Sequence, residues 1–247
     1  MKSGDWMFKA PPSVSTEVFT VVPKQFRKPG QVSAERIAAG KNTLATDSYI
    51  EGPSFDRAGN LYFVDIAFGR IYRANPTGEV ELLIEYDGEP NGLKIHRDGR
   101  IFVADHKNGL MLFDPQSKTI QPVLTRFNAE AFKGLNDLFF TSNGDLYFTD
   151  QGRTGLQDPS GRVFRMTSQG EVSCLLGNAP SPNGIVLNAN GNHLYIAVTR
   201  SNSIWRTMLL QDGSIARVGN FIQMSGGSGP DGLALDQEGN LYVAHAG

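Results

Sequence analysis

The chain has 247 residues and a formal net charge of -2, with 40% hydrophobic and 19% charged residues. This balance supports a sizeable core and excludes a disordered chain. The near-neutral charge excludes the basic footprint that is typical of nucleic-acid or anionic-membrane binding. A single cysteine excludes an intramolecular disulfide and a thiolate metal cluster.

The first 50 residues carry no copy of the repeat that fills the rest of the chain. They lack the apolar stretch of a signal peptide, and no stretch of the chain has the length and apolarity of a membrane span, so the expected location is the cytoplasm. Two stretches here, Glu17–Val22 and Glu35–Ala39, are predicted to be strands. Because a terminal strand often completes the last blade of a closed propeller, we expect them to close the ring.

The next 35 or so residues predict an antiparallel meander of four strands. The strands are Pro53–Asp56, Leu61–Val64, Arg70–Ala74 and Glu79–Ile84. The turns between them contain glycine, asparagine and aspartate, which supply the positive φ that a hairpin needs. This meander has the size of one propeller blade.

The same pattern recurs along the chain, each time with an acidic or amide residue eight positions before a turn glycine. The five pairs are Glu51/Gly59, Asn91/Gly99, Asn136/Gly144, Asn183/Gly191 and Asp231/Gly239. Such a period, with two strands around a tight turn in each copy, is typical of a β-propeller.

Five blades begin, but the fifth stops soon after its second strand. We therefore predict an all-β fold, a six-bladed propeller of four-stranded antiparallel blades that is truncated within blade five. It would form a single domain over residues 1–247, with the closing strands in 1–50 and five blade starts in 51–247. The recurring aromatic residues of the second and third strands are expected to pack between blades.

The repeat brings a polar residue to the same place in every blade, at the start of the strand that lines the channel. Glu51, Asn136, Asn183 and Asp231 are the candidate metal ligands, and Asn91 is a fifth member of the set. An all-oxygen set with two carboxylates suits one hard divalent cation, Ca²⁺ first, with Mg²⁺ or Mn²⁺ as alternatives. Zn²⁺ is less favoured because the motif has no His or Cys. Each Asn-Gly or Asp-Gly pair taken alone is also a common turn former.

The second strand of each blade returns to the same mouth of the channel. Its end carries Asp150 in the third copy, His106 just after the second-copy strand, and His245 in the fifth. These are natural contact positions for a substrate, although a solvated strand end explains each one alone. Asp137 should point to the opposite face of its strand and brace the site. The long loop Gln151–Arg162 is expected to rim the mouth.

The combined motifs resemble the SMP-30/gluconolactonase/luciferin-regenerating-enzyme family over about residue 45 to the end. The matching motifs are Glu51-Gly52-Pro53, Asn136-Asp137, Pro182-Asn183-Gly184 and Pro230-Asp231-Gly232, with GNLYFVD and GDLYFTD behind them. LYFTD followed by Asp158-Pro159-Ser160-Gly161 is similar to the bacterial lactonase branch. The resemblance implies a six-bladed propeller with a divalent cation held by Glu51, Asn183 and Asp231. Asn136 falls at a position where members of the family use an asparagine as a metal ligand or as a substrate contact.

The activity implied by the resemblance is metal-assisted hydrolysis of a small-molecule lactone, such as a sugar lactone. The cation would polarise the lactone carbonyl, and Asp231 would take the proton of the attacking water, with Asp150 or Asp137 as reserve bases. Asn136, Asn91, His106 and His245 are the expected substrate contacts. The alternatives are phosphotriester hydrolysis at the same site and an NHL-like propeller that binds a partner or sugar without catalysis. No nucleic-acid or membrane partner is expected, and the oligomeric state is left open.

Overall fold

The structure is a computed structural model that describes residues 13–246. Within them the chain forms four four-stranded antiparallel sheets, each a meander in chain order, and two two-stranded sheets. Blade 1 comprises β1 (Ile50–Phe55), β2 (Leu61–Asp65), β3 (Arg70–Ala74) and β4 (Val80–Glu85). Blade 2 comprises β5 (Pro90–Ile95), β6 (Ile101–Asp105), β7 (Gly109–Asp114) and β8 (Thr119–Leu124).

A short hairpin of β9 (Arg126–Phe127) and β10 (Glu130–Ala131) leads into the third blade. Blade 3 comprises β11 (Leu135–Phe140), β12 (Leu146–Asp150), β13 (Gly161–Met166) and β14 (Val172–Ala179). Blade 4 comprises β15 (Pro182–Leu187), β16 (His193–Val198), β17 (Ser203–Met208) and β18 (Gly219–Gln223). The fifth sheet consists of β19 (Gly229–Leu235) and β20 (Leu241–Ala246).

The predicted all-β propeller of four-stranded blades is confirmed in the described residues. The first strands β1, β5, β11, β15 and β19 contact one another in succession, so they form the inner wall of the blade array. The strand predictions for blade 1 are correct to within a few residues at the ends. The total of six blades and the truncation within the fifth stay predictions.

In three of the five copies the inner strands approach so closely that glycine is required after the motif residue, at Gly52, Gly92 and Gly184. A Cβ on Gly52 would lie 2.5 Å from the backbone oxygen of Asn91 in the next blade. A Cβ on Gly92 would lie equally close to the backbone oxygen of Asn136. The glycine of the motif therefore serves contact between blades, in addition to any turn preference.

The core consists of apolar layers between neighbouring blades. Tyr62 of blade 1 packs with Leu93 and Phe113 of blade 2, and Phe102 of blade 2 packs with Phe148 and Phe164 of blade 3. Equivalent layers join blades 3 and 4, and blade 4 and the fifth sheet. The expectation that the recurring aromatics pack between blades is confirmed for these layers. Tyr242, in the fifth sheet, is instead exposed.

The two strands predicted in the first 50 residues are wrong. Glu17–Val22 pairs with no sheet, but the Thr20 hydroxyl donates to the backbone oxygen of Gly78 at 2.6 Å, and Val22 packs against Phe63 and Tyr72. This segment therefore covers blade 1 through side chains, without ladder hydrogen bonds.

The second of those stretches is the helix α1 (Ala34–Ala38). Ser33 caps it by accepting from the backbone N–H of Arg36, and alanine at both ends favours a helix over a strand. A 3-10 helix, Lys24–Phe26, precedes it, and a second, Thr199–Ser201, follows β16. Among residues 13–246, no helix is long and apolar enough to cross a membrane.

Candidate functional site

The five motif residues converge on one cavity of about 610 Å³ at the mouth of the channel. Its lining includes Glu51, Asn91, Asn136, Asn183 and Asp231. The same five side chains also line a second cavity of about 400 Å³. They therefore form a polar ring that separates the two cavities, as their common position in the repeat predicts.

Each inner strand is irregular at its motif residue. The pairing register with the second strand shifts at this point in β1, β5, β11, β15 and β19. A bulge re-aims side chains and is common next to active sites. Side chains along a regular strand alternate between its two faces. The repeated bulge explains why the motif residue nevertheless reaches the channel in every copy.

The ring holds two carboxylates in partly buried positions. Burial, together with the charges of Asp231 and Asp137, raises the pKa of Glu51 to about 7. Burial also raises the pKa of Asp231, although a hydrogen bond from Asn183 opposes the shift. Glu51 and Asp231 thus resist joint ionisation unless a positive charge lies between them.

The donor chemistry of the ring fits a hard cation. The Asn136 amide nitrogen donates to the Gln151 Oε1 atom at 2.9 Å, and this orientation leaves the Asn136 carbonyl oxygen as the atom turned to a ligand. Asn136 and Asn183 are 5% and 7% exposed, so both amides are held in place. Nowhere in residues 13–246 do three His, Cys, Asp or Glu side chains meet at metal-binding distance. A set of two carboxylates and amide oxygens matches Ca²⁺ better than Zn²⁺.

Aspartates at the ends of the second strands have a structural role. Asp65, Asp105 and Asp150 are fully buried. Each accepts the backbone N–H of a residue 16 positions earlier, just before the inner strand of its blade. They tie the end of the second strand to the start of the first.

Asp150 is therefore not placed as a base. Its other oxygen accepts from Arg162, with a shortest separation of 2.6 Å, and it does not line the cavity. Burial raises the Asp150 pKa, while the hydrogen bond from Arg162 opposes this. The sequence pattern correctly found a repeated aspartate, but the carboxylate satisfies backbone groups instead of facing a substrate.

Asp137 and His245 also lie away from the cavity mouth. Asp137 takes the position that glycine occupies in the other motif copies, and its carboxylate accepts the backbone N–H groups of Leu138 and Ile185. It thereby bridges the inner strands of blades 3 and 4, as expected of a brace, and faces the second cavity. His245 contacts the Asn202 side chain at 3.0 Å and is not part of the lining, so the geometry does not support it as a substrate contact.

His106 does line the cavity. Its ring packs on Gly134, where a Cβ would collide with it. Burial and the charges of the neighbouring cations lower the His106 pKa from 6.5 to about 4, against the raising effect of Glu89. These cations are Lys41, Arg36 and Arg153. The imidazole is therefore neutral at physiological pH and offers a hydrogen bond without a charge.

Several lining residues were missed by sequence reasoning. Tyr49 precedes the first motif residue, and Arg36 and Lys41 come from α1 and the turn after it. Nothing in the repeat marks them, because the 1–50 segment lies outside it. The predicted rim loop is correct, since residues 151–157 line the cavity and Gln151 donates to the Ser181 hydroxyl at 2.9 Å.

A family model described as the SMP-30/Gluconolactonase/LRE-like region matches residues 50–247. The chain belongs to this family. The matched region begins at β1, one residue before Glu51, so it contains every member of the polar ring and all the blades. The family resemblance drawn from the motifs is therefore confirmed.

The relatives found by sequence and by structure include lactonases and gluconolactonases. The chain is 32% identical over 209 residues to lactonase drp35 of Staphylococcus aureus, an alignment that covers 80% of this chain and 64% of that one. It thus spans less than two thirds of that relative's length.

The fold is similar to a gluconolactonase from Xanthomonas campestris, with a TM-score of 0.72, 20% identity and coverage of 80% of this chain and 70% of that one. It is also similar to regucalcin from Agrobacterium tumefaciens, a calcium-binding protein. That comparison has a TM-score of 0.67, 24% identity and coverage of 79% and 67%. These two likenesses show the propeller fold.

Proposed function

We propose that this chain is the site-bearing part of a metal-dependent lactonase. The observation that carries the proposal is the polar ring itself, with two carboxylates and three amides meeting on one cavity of about 610 Å³. A cavity of this size accepts a small molecule such as a sugar lactone. Family membership and the lactonase and gluconolactonase names of its relatives support the same activity.

Glu51, Asn183 and Asp231 would hold one divalent cation, Ca²⁺ first, with Asn136 completing the set. The raised pKa values of Glu51 and Asp231 support this assignment, because a cation would relieve the repulsion between the two carboxylates. When bound, such an ion supplies Lewis-acid polarisation of the lactone carbonyl. The calcium-binding description of the Agrobacterium relative is in keeping with the choice of ion.

Asp231 is the proposed base that takes the proton of the attacking water. It lines the cavity, whereas Asp150 is bonded to Arg162 and Asp137 to backbone N–H groups. A carboxylate whose pKa is raised is better matched to proton transfer near neutral pH. Asn91 and His106 line the same cavity and would orient the lactone through uncharged hydrogen bonds.

Neither alternative is favoured by a specific observation. A phosphotriester hydrolase would use the same ring, so its substrates belong in the same assay. An NHL-like binding propeller has no need for two carboxylates that share a partly buried ring, because their burial costs stability.

The test is a pH-drop assay of the purified chain with sugar lactones, aliphatic γ-lactones, dihydrocoumarin and a phosphotriester. Each is measured with Ca²⁺ and with EDTA. We expect turnover of at least one lactone that EDTA abolishes and that Asp231→Asn reduces by about a hundredfold or more. Glu238→Gln is the matched control, because it removes an exposed carboxylate in the turn between β19 and β20. Absence of EDTA-sensitive turnover on every lactone would refute the proposal.

A further inference from the structure

The cavity has opposite charges at its floor and at its rim. The floor carries the carboxylates of Glu51 and Asp231, whereas four cations line the walls and mouth. These cations are Arg36, Lys41, Arg153 and Arg200. They come from three separate parts of the chain, the α1 region, the loop after β12 and the 3-10 helix after β16. A rim of one charge sign at the mouth of a cavity attracts ligands of the opposite sign.

Two of the four cations share a single carboxylate. Glu89 accepts from Lys41 at 3.2 Å and lies 3.0 Å from the Arg36 guanidinium. Arg36 is 5% exposed and also donates to the Asn42 side chain at 2.7 Å, so it is fixed in the wall. This pair of cations is only partly neutralised.

The other two cations have no acidic partner in the described part of the chain. Arg153 and Arg200 are exposed, and within residues 13–246 neither guanidinium lies within 4.0 Å of a carboxylate. By contrast, the buried or half-buried arginines 70, 162 and 165 each pair with an acid. Arg153 lies close enough to Lys41 and His106 to lower the pKa of both. It therefore adds to a positive region in which His106 itself stays neutral.

The charge balance of the site is positive once its proposed cation is present. The two floor carboxylates and a divalent cation cancel, and the four rim cations with Glu89 leave an excess of three positive charges, or of two when Asp137 in the second cavity is counted. A neutral lactone would leave this excess without a partner. An anionic group on the ligand would pair with Arg153 and Arg200 while the ring oxygen and carbonyl reach the floor.

We propose that the preferred ligand of this cavity is a lactone that bears an anionic substituent, a carboxylate or a phosphate, which Arg153 and Arg200 bind at the rim. The proposal deepens the proposed function, and the assignment of the ligand as a lactone rests on that function. The two arginines would be specificity residues that act on binding, and the chemistry would remain at the floor. Both stand on loops after the second strand of adjacent blades, so they lie at equivalent places around the mouth.

The test uses three ligands that share a pyranose ring and have no lactone bond to hydrolyse. Methyl glucoside is neutral, methyl glucuronide carries a carboxylate, and the phosphate ester of methyl glucoside carries a phosphate. Each is titrated calorimetrically into the full chain with Ca²⁺, at low and at high salt. The variants are Arg153→Gln, Arg200→Gln and the double variant. Arg57→Gln is the matched control, since Arg57 is exposed in the β1–β2 turn outside the cavity.

We expect at least one anionic ligand to bind about tenfold or more tightly than methyl glucoside, and this preference to shrink at high salt. The double variant should lose most of the preference, and Arg57→Gln should keep it. Whether glucuronide or phosphate binds more tightly then identifies the anionic group. Equal binding of all three ligands, a preference that survives in the double variant, or an equal loss in Arg57→Gln would overturn the inference. Because no turnover is measured, a missing lactonase activity would refute the proposed function and leave this result standing on its own.

Discussion

Glu51 should destabilise the metal-free protein, because its charge is held in a partly buried ring with Asp231. The perturbation that tests this is Glu51→Gln, which keeps the size and shape of the side chain and removes its charge. The Glu51 pKa rises from 4.5 to about 7. Above pH 7 the folded chain therefore holds an ionised carboxylate that water solvates freely only in the unfolded chain, and this lowers the free energy of unfolding.

The magnitude follows from the pKa. A rise from 4.5 to about 7 corresponds to an upper limit of about 3 kcal/mol at 1.36 kcal/mol per pKa unit. Water that reaches the open cavity reduces this, so about 1–3 kcal/mol is expected. The sign is that of an acid with a raised pKa. Between pH 4.5 and about 7 the folded state binds more protons than the unfolded state, so stability falls as pH rises through this window.

The assay is thermal and urea unfolding in EDTA at pH 5 and pH 8, repeated with Ca²⁺. In EDTA at pH 8, Glu51→Gln should be more stable than the parent by about 1–3 kcal/mol, or roughly 2–10 °C in Tm for a chain of this size. At pH 5 the difference should nearly vanish. With Ca²⁺ the order should reverse, because the variant loses a ligand. Glu238→Gln should leave the stability unchanged both in EDTA and with Ca²⁺. A Glu51→Gln protein that is less stable than the parent in EDTA at pH 8 would refute the reasoning.

Three further predictions concern residues around the ring. The His106 contribution to stability should fall by up to about 3 kcal/mol as pH drops from 6.5 towards 4, opposite in sign to that of Glu51, because the buried imidazole stays neutral while the unfolded chain takes up a proton. His106→Gln should remove this contribution from the unfolding profile. Asp150→Asn should destabilise by about 3–5 kcal/mol by leaving the exposed Glu130 as the remaining acidic partner of Arg162 among residues 13–246. The folded fraction should keep its Ca²⁺ affinity in calorimetry, and a lost affinity with normal stability would restore Asp150 to the site. Gly92→Ala should cost about 1–3 kcal/mol in urea unfolding, while Gly177→Ala, where nothing lies within 4 Å of a Cβ, should cost less than about 0.5; equal effects would disprove close packing of the inner strands.

The blades and the floor of the site could be predicted from the sequence because the repeat encodes them. Strand order follows from turn glycines and apolar runs, and Glu51, Asn183 and Asp231 reach one cavity because equivalent places in a propeller face one channel. The bulge in each inner strand could not be predicted, since register depends on pairing with the second strand. Nor could the structural role of Asp150, because a strand-end aspartate looks the same whether it faces substrate or backbone.

The structure of residues 13–49 could not be predicted from the sequence pattern. Their composition resembles strands, but a capping serine and alanines produce α1, and packing across blade 1 replaces ladder pairing. No local pattern reveals that Arg36 and Lys41 then reach the cavity. Their position depends on where the segment docks, and Glu89, just before β5, holds both cations through its ion pairs.

The floor and the rim of the cavity differ in how easily their residues can be replaced. Floor residues sit in bulged strands whose backbones touch the next blade, so moving one of them disturbs two blades. Rim residues such as Arg153 and Arg200 stand on exposed loops and contact little, so their replacement costs little stability. The chemistry proposed for Glu51 and Asp231 is therefore tied to the fold, while the charge at the mouth is free to vary. Because the repeat carries only the floor residues, ligand preference has to be sought in the loops. There Arg153 and Arg200, which have no carboxylate within 4.0 Å among residues 13–246, give the mouth its positive charge.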